Sequence, residues 1–149
     1  EFRHGEAIAL LMRADPKLLK GHNRLWIRFF LLAVYATMYI RDHRRPVFHE
    51  ALGLDPKTYD REVFELTNEI SRQVFPIELD LDNPKIFEKL EKLRVLAAKM
   101  EESKAKNGMF GRLNRMGLAM RCGVQFIGLY FMRTRKNRPP VRVRLEPVW

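Results

Sequence analysis

Leu25 to Ile40 reads LWIRFFLLAVYATMYI, and in those sixteen residues only Arg28 and Thr37 are neither apolar nor aromatic. A helix of that length is about 24 Å long, short of the roughly 30 Å hydrocarbon core of a bilayer, so the stretch is expected to be a central packed helix rather than a membrane span. No polar stripe interrupts it, so other helices, or in part lipid, must cover it all round. Arg28, Leu32, Tyr35 and Tyr39 share one face by helical spacing, and Arg28 is the one charge there. Two readings of Arg28 follow. It is either a snorkelling or internally partnered arginine, or a cation that meets an anion inside a ligand pocket.

With 149 residues, 46% of them hydrophobic and 31% charged, the chain is long enough for one domain with a core. Its net charge of +10 points to nucleic acid, an anionic membrane surface or an acidic ligand. The excess is concentrated near the end, where residues 109–149 hold nine basic side chains and one acid, Glu146. The single cysteine, Cys122, excludes an intramolecular disulfide and a Cys-based metal site, and fits a reducing compartment. No signal-peptide pattern is present, and the first residue already belongs to a motif, which suggests a chain incomplete at its amino terminus.

Three helix starts repeat one signature, a capping side chain followed by proline: Asp15-Pro16, Asp55-Pro56 and Asn83-Pro84. Asn23 is expected to cap the central helix. The helix after Asp55 is expected to turn Tyr59, Val63, Phe64, Leu66, Ile70 and Val74 inward, and the helix after Asn83 to do the same with Ile86, Phe87, Leu90, Leu93, Leu96, Ala97 and Met100. Ile77 to Asp82 alternates apolar and acidic residues and is read as a short extended connection, with strand content overall close to nil. Glu78, Asp80 and Asp82 in a solvated loop, and His43 and His49 with Asp42 and Glu50, are the two weaker places where a cation would find ligands. Lys104 to Gly108 divides residues 1–107 from residues 108–149. Beyond it an apolar helix studded with arginine and glycine runs into the cluster Arg133 to Arg138 and an extended tail. That end fits either a last core helix with a basic tail or a helix lying on an anionic membrane interface.

Glu1 and His4 are three residues apart, which on a helix sets a carboxylate and an imidazole on one side. Glu-x-x-His is the half-site that helix-bundle carboxylate di-iron proteins use, and the donor pair suits Fe(II). The surrounding Glu1-Phe2-Arg3-His4-Gly5-Glu6 resembles the second Asp-Glu-x-Arg-His motif of the aerobic magnesium-protoporphyrin IX monomethyl ester cyclase family, membrane-associated di-iron oxygenases of chlorophyll and bacteriochlorophyll synthesis. Ala9 to Leu19, Leu25 to Tyr39, Arg41 to His43, Gly53 to Pro56, Val74-Phe75-Pro76 and Asp82-Asn83-Pro84 resemble the carboxy-terminal half of that family in the same order. Two departures stand out: Phe2 replaces a common Asn, and the Asp that opens the family motif has no counterpart.

The resemblance implies an all-α fold, residues 1–107 being half of a ferritin-like di-iron bundle and residues 108–149 additional helix and tail. It implies Glu1 and His4 as iron ligands. The other ligands would lie upstream, so this chain should not assemble a di-iron centre alone. The complete protein would form the isocyclic ring from Mg-protoporphyrin IX monomethyl ester, using dioxygen and electrons from NADPH or a ferredoxin-type donor, with an auxiliary subunit as a further partner. It would sit on the cytoplasmic or stromal side of a photosynthetic membrane. A large, flat, apolar macrocycle with a free propionate calls for aromatic walls and a cation, for which Trp26, Phe30, Tyr35 and Arg28 are the candidates. The competing reading is a non-catalytic basic helical module on anionic membrane. RNA is its weaker version, because the aromatics are not interleaved with the basic tail.

Overall fold

The computed structural model describes residues 10–12, 14–44, 46–105 and 108–138. After a 3-10 turn at Pro16–Leu19 come α1 (Asn23–Asp42), α2 (Pro46–Ala51), α3 (Pro56–Arg72), β1 (Ile77–Leu79), α4 (Pro84–Lys104), α5 (Met109–Tyr130) and β2 (Thr134–Lys136). The expected all-α class is what is observed. The three cap-proline starts act as the sequence implies. The Asp15 carboxylate accepts from the Lys17 backbone N–H, Asp55 from Thr58, and the Asn83 amide oxygen from Lys85.

The expected Asn23 cap does not form. Gly21 takes a left-handed φ of 57°, His22 becomes the residue before the helix without a side-chain bond to it, and Asn23 is already helical. The Asn23 side-chain N–H instead donates to the Lys17 carbonyl at 3.2 Å, tying the 3-10 turn to α1.

The central position assigned to Leu25 to Ile40 is observed. Leu31, Leu32, Tyr35 and Tyr39 of α1 meet Phe64 of α3, Leu79 of β1, Ile86 and Leu90 of α4 and Leu129 of α5 in one core. The stretch is nevertheless not covered all round, because Leu25, Trp26, Phe30 and Val34 remain exposed. α4 ends at Lys104 and α5 begins at Met109, so the expected boundary falls between two helices that pack along each other. Cys122 Sγ lies 3.8 Å from Met100 Sδ across that contact.

Strand is not absent. β1 pairs antiparallel with β2, Ile77 opposite Lys136 and Leu79 opposite Thr134, so the alternation in Ile77 to Asp82 is a real strand pattern. Ile77 and Leu79 point into the core. The Asn137 backbone N–H continues the pairing to the Pro76 carbonyl at 2.9 Å.

The largest departure lies in α3. Of its expected inner face only Phe64 is fully buried, while Leu66 and Ile70 are exposed; Asp60, Asn68 and Ser71 are buried in their place. Each of the three has internal partners. The Tyr35 hydroxyl donates to Asn68 Oδ1 at 2.6 Å, and the Asn68 amide both accepts from the Leu79 N–H at 3.2 Å and donates to the Leu79 carbonyl at 2.8 Å. Ser71 donates to the Thr67 carbonyl, and Asp60 pairs with His43. Buried polar groups with partners win the inner face because an unpaired one would be too costly there.

Candidate functional site

Glu1 and His4 lie outside the described residues. The described chain begins at Leu10, and Met12 already lines a groove of about 350 Å³ with Leu18, Asn23, Trp26, Ile27, Phe30, Leu31, Val34 and Phe75. Trp26, Phe30 and Val34 recur at helical spacing on the outer face of α1, and the Trp26 and Phe30 rings stack with centroids 6.0 Å apart. Both rings are more than half exposed, at 59% and 60%. The groove is therefore an aromatic shelf on the outer face of α1.

The four side chains expected around a macrocycle do not converge. Trp26 and Phe30 share this shelf. Tyr35 is completely buried, and burial pushes its hydroxyl up to about 12, so it stays protonated and donates to Asn68. Arg28 turns toward the end of α5, where its Nη2 donates to the Met132 carbonyl and its guanidinium carbon sits 5.2 Å from the centre of the Tyr130 ring. That geometry is the internally partnered arginine of the two readings. The Arg28 Nε is buried without a hydrogen-bond partner among the described residues.

The acids of the β1 segment are held by cations of this chain. Arg135 reaches Asp80 at 2.8 Å and Asp82 at 2.5 Å, Arg61 reaches Asp82 at 3.2 Å, and Arg72 lies 3.6 Å from Glu78. His43 and His49 are brought together, their ring centroids 5.8 Å apart. Among the described residues no group of three or more His, Cys, Asp or Glu side chains is placed to hold a metal ion.

His43 instead joins Asp60, which the sequence did not single out. Its Nδ1 is 2.9 Å from the Tyr39 carbonyl, an acceptor only, so Nδ1 carries a hydrogen. Nε2 faces Asp60 Oδ2 at 3.4 Å. Burial raises the Asp60 carboxyl from 3.8 to about 6, against the opposing pull of His43 and His49. A crevice of about 400 Å³ lined by His43, Arg44, Arg94 and Glu101 reaches the His43 side of the pair. Nearby, Tyr39 donates to Glu91 at 3.2 Å, and Arg94 holds the same carboxylate at 2.6 Å, which keeps Glu91 below the usual carboxylate range. The signal for Asp60 was available as the spacing of residues 60, 64, 68 and 71 on one helical face.

No family model and no solved structure matches the chain. Curated relatives do. A protein of Rubrivivax gelatinosus named aerobic magnesium-protoporphyrin IX monomethyl ester [oxidative] cyclase is 49% identical over 149 residues, which is all of this chain and 42% of that protein. A protein of Parasynechococcus marenigrum named magnesium-protoporphyrin IX monomethyl ester [oxidative] cyclase is 42% identical over 95% of this chain and 42% of its own length. A protein of Synechococcus elongatus with the same name is 55% identical over 92 residues, 61% of this chain and 26% of its own length. The chain spans about 42% of the length of the relatives it matches most fully.

Proposed function

We propose, for a chain that belongs to the magnesium-protoporphyrin IX monomethyl ester oxidative cyclase family, that it is one portion of an oxygen-dependent cyclase forming the isocyclic ring of chlorophyll or bacteriochlorophyll. The observation that carries this is the 49% identity to the Rubrivivax protein along all 149 residues. The donor set fits the implied metal: Glu1 and His4 supply one carboxylate and one imidazole at the spacing of a di-iron half-site. Iron, when bound, supplies the dioxygen chemistry, with electrons from NADPH or a ferredoxin-type donor.

The chain's own residues bind and orient. Trp26 and Phe30 offer a flat aromatic wall to one face of Mg-protoporphyrin IX monomethyl ester, and Ile27, Leu31, Val34 and Phe75 exclude water behind it. Arg28 acts one step back, fixing the α5 end against α1 through Met132. Tyr35 holds the buried network beneath through Asn68.

Fe(II) titration followed by Mössbauer spectroscopy after oxygen exposure tests the metal assignment, on this chain and on a version that adds the portion of the relatives it does not match. The extended protein is expected to show a coupled di-iron signal that Glu1→Ala or His4→Ala abolishes, and the chain alone to show none. An extended protein without iron, or one whose signal survives both substitutions, overturns the assignment.

A further inference from the structure

Three helices meet at one carboxyl. Asp60 of α3 is buried, and its Oδ2 lies 3.4 Å from Nε2 of His43, just past the end of α1. His49 of α2 is buried as well. Its ring lies 5.8 Å from that of His43 and 5.1 Å, edge to face, from that of Tyr59, so α2 reaches both α1 and α3 through this imidazole. The charges facing Asp60 are mixed. His43 and His49 favour its carboxylate, whereas Asp42 of α1 and Glu91 of α4 oppose it, Glu91 being held in turn by Arg94 and the Tyr39 hydroxyl. Loss of water on burial outweighs the two imidazoles and raises the carboxyl from 3.8 to about 6.

Of the helices around Asp60, α2 is the one least able to stand alone. It is six residues long, against the roughly 12–15 at which an isolated helix is marginal in water, so it persists only while it is held. Gly53, at a left-handed φ of 63°, turns the chain out of it. The Leu54 and Gly53 N–H groups close onto the His49 and Glu50 carbonyls at 2.9 and 3.1 Å. Those two bonds are lost when α2 leaves its seat, and they report on it. By contrast α1 and α4 are 20 and 21 residues long and share the apolar core, so they stay when α2 goes.

We infer that Asp60 is a pH-operated latch on α2: as a carboxylic acid it lets the His49 ring lie buried against α1 and α3, and as a carboxylate it releases α2 while the core stays folded. A carboxylate short of water and faced by two like charges is costly. The cheapest relief is to open the element with the smallest free energy of its own, which admits water to Asp60 without unpacking the helices of the core. The latch needs neither iron nor macrocycle and stands or falls apart from the cyclase reading.

Amide hydrogen exchange on the chain, corrected for the intrinsic effect of pH on the chemical step, tests it. Gly53 and Leu54 should exchange through an opening at least tenfold more frequent than that of Leu90 and Leu93 inside α4, and that opening should grow about tenfold from pH 5 to 7.5. The Asp60 carboxyl carbon, followed by NMR over the same range, should titrate in step with it. Asp60→Asn cannot ionise and should hold the opening constant within about twofold across that range, with the helical circular dichroism signal retained. Exchange of Gly53 and Leu54 at the α4 rate would mean that α2 has no release of its own and overturns the inference. So does a local opening that is flat in pH, that does not follow the Asp60 titration, or that keeps its full pH dependence in Asp60→Asn. The exchange profile and the titration need no substitution and decide the matter even if Asp60→Asn does not fold.

Discussion

Asn68 occupies the place of a peptide group. Its amide exchanges two hydrogen bonds with Leu79 as a neighbouring strand would, and its oxygen also accepts from Tyr35. Asn68→Ala leaves the Leu79 N–H and C=O and the Tyr35 hydroxyl without that partner in a dry site, and a loss of about 2–4 kcal/mol is expected. Tyr35→Phe removes only the hydroxyl and leaves Asn68 bonded to Leu79, so about 1 kcal/mol is expected. Urea midpoints for the two variants check the order; equal losses would refute the strand-like role. Asp60 gives the pH counterpart. Its folded carboxyl, at about 6, lies above the ordinary 3.8, so its stabilising contribution is full below that lower value and is lost as pH rises through about 6. Asp60→Asn should remove a decline on the order of 1–3 kcal/mol between pH 4 and 7. Parallel pH–stability curves for the two proteins would show that Asp60 is not its source. The shared helical face of residues 60, 64, 68 and 71 was visible in the sequence, but the value of Asp60 and Asn68 was not, because a buried polar side chain depends on partners from α1 and β1 that no local pattern announces.

At the scale of elements, legibility followed how local the cause is. Asp15, Asp55 and Asn83 cap as read, since each cap needs only the residues beside it. The inner face of α4 was legible as well, with Ile86, Leu90 and Leu93 buried on schedule. The inner face of α3 was not: apolar spacing nominated Leu66 and Ile70, and the Asn68 and Asp60 networks turned the helix the other way. The β1–β2 ribbon was missed because its strands lie 54 residues apart, between Leu79 and Thr134, and each is three residues long. In α5, Gly123 is an exposed helix-interior glycine where an added Cβ meets nothing within 4 Å. Gly123→Ala should therefore raise stability by about 0.5–1 kcal/mol, read as a higher thermal midpoint. A fall would mean that the backbone there needs glycine.

Over the whole molecule, the central place of Leu25 to Ile40 and the helical class were legible because a stretch that apolar has few other destinations. The site was legible only in outline. Glu1 and His4, which the spacing suggests and the resemblance implies as ligands, lie outside the described residues, whereas Trp26 and Phe30 could be separated from Arg28 and Tyr35 only once α1 had neighbours. Arg28 ends up as a fastening between distant parts of the chain, and Tyr130 adds a second, its hydroxyl donating to the Leu25 carbonyl at 3.3 Å. Mechanically, α1 and α5 are two stiff rods pinned at one end. A displacement of α5 bears directly on the first turns of α1, so the seating of α5 and the aim of the aromatic shelf are one degree of freedom rather than two.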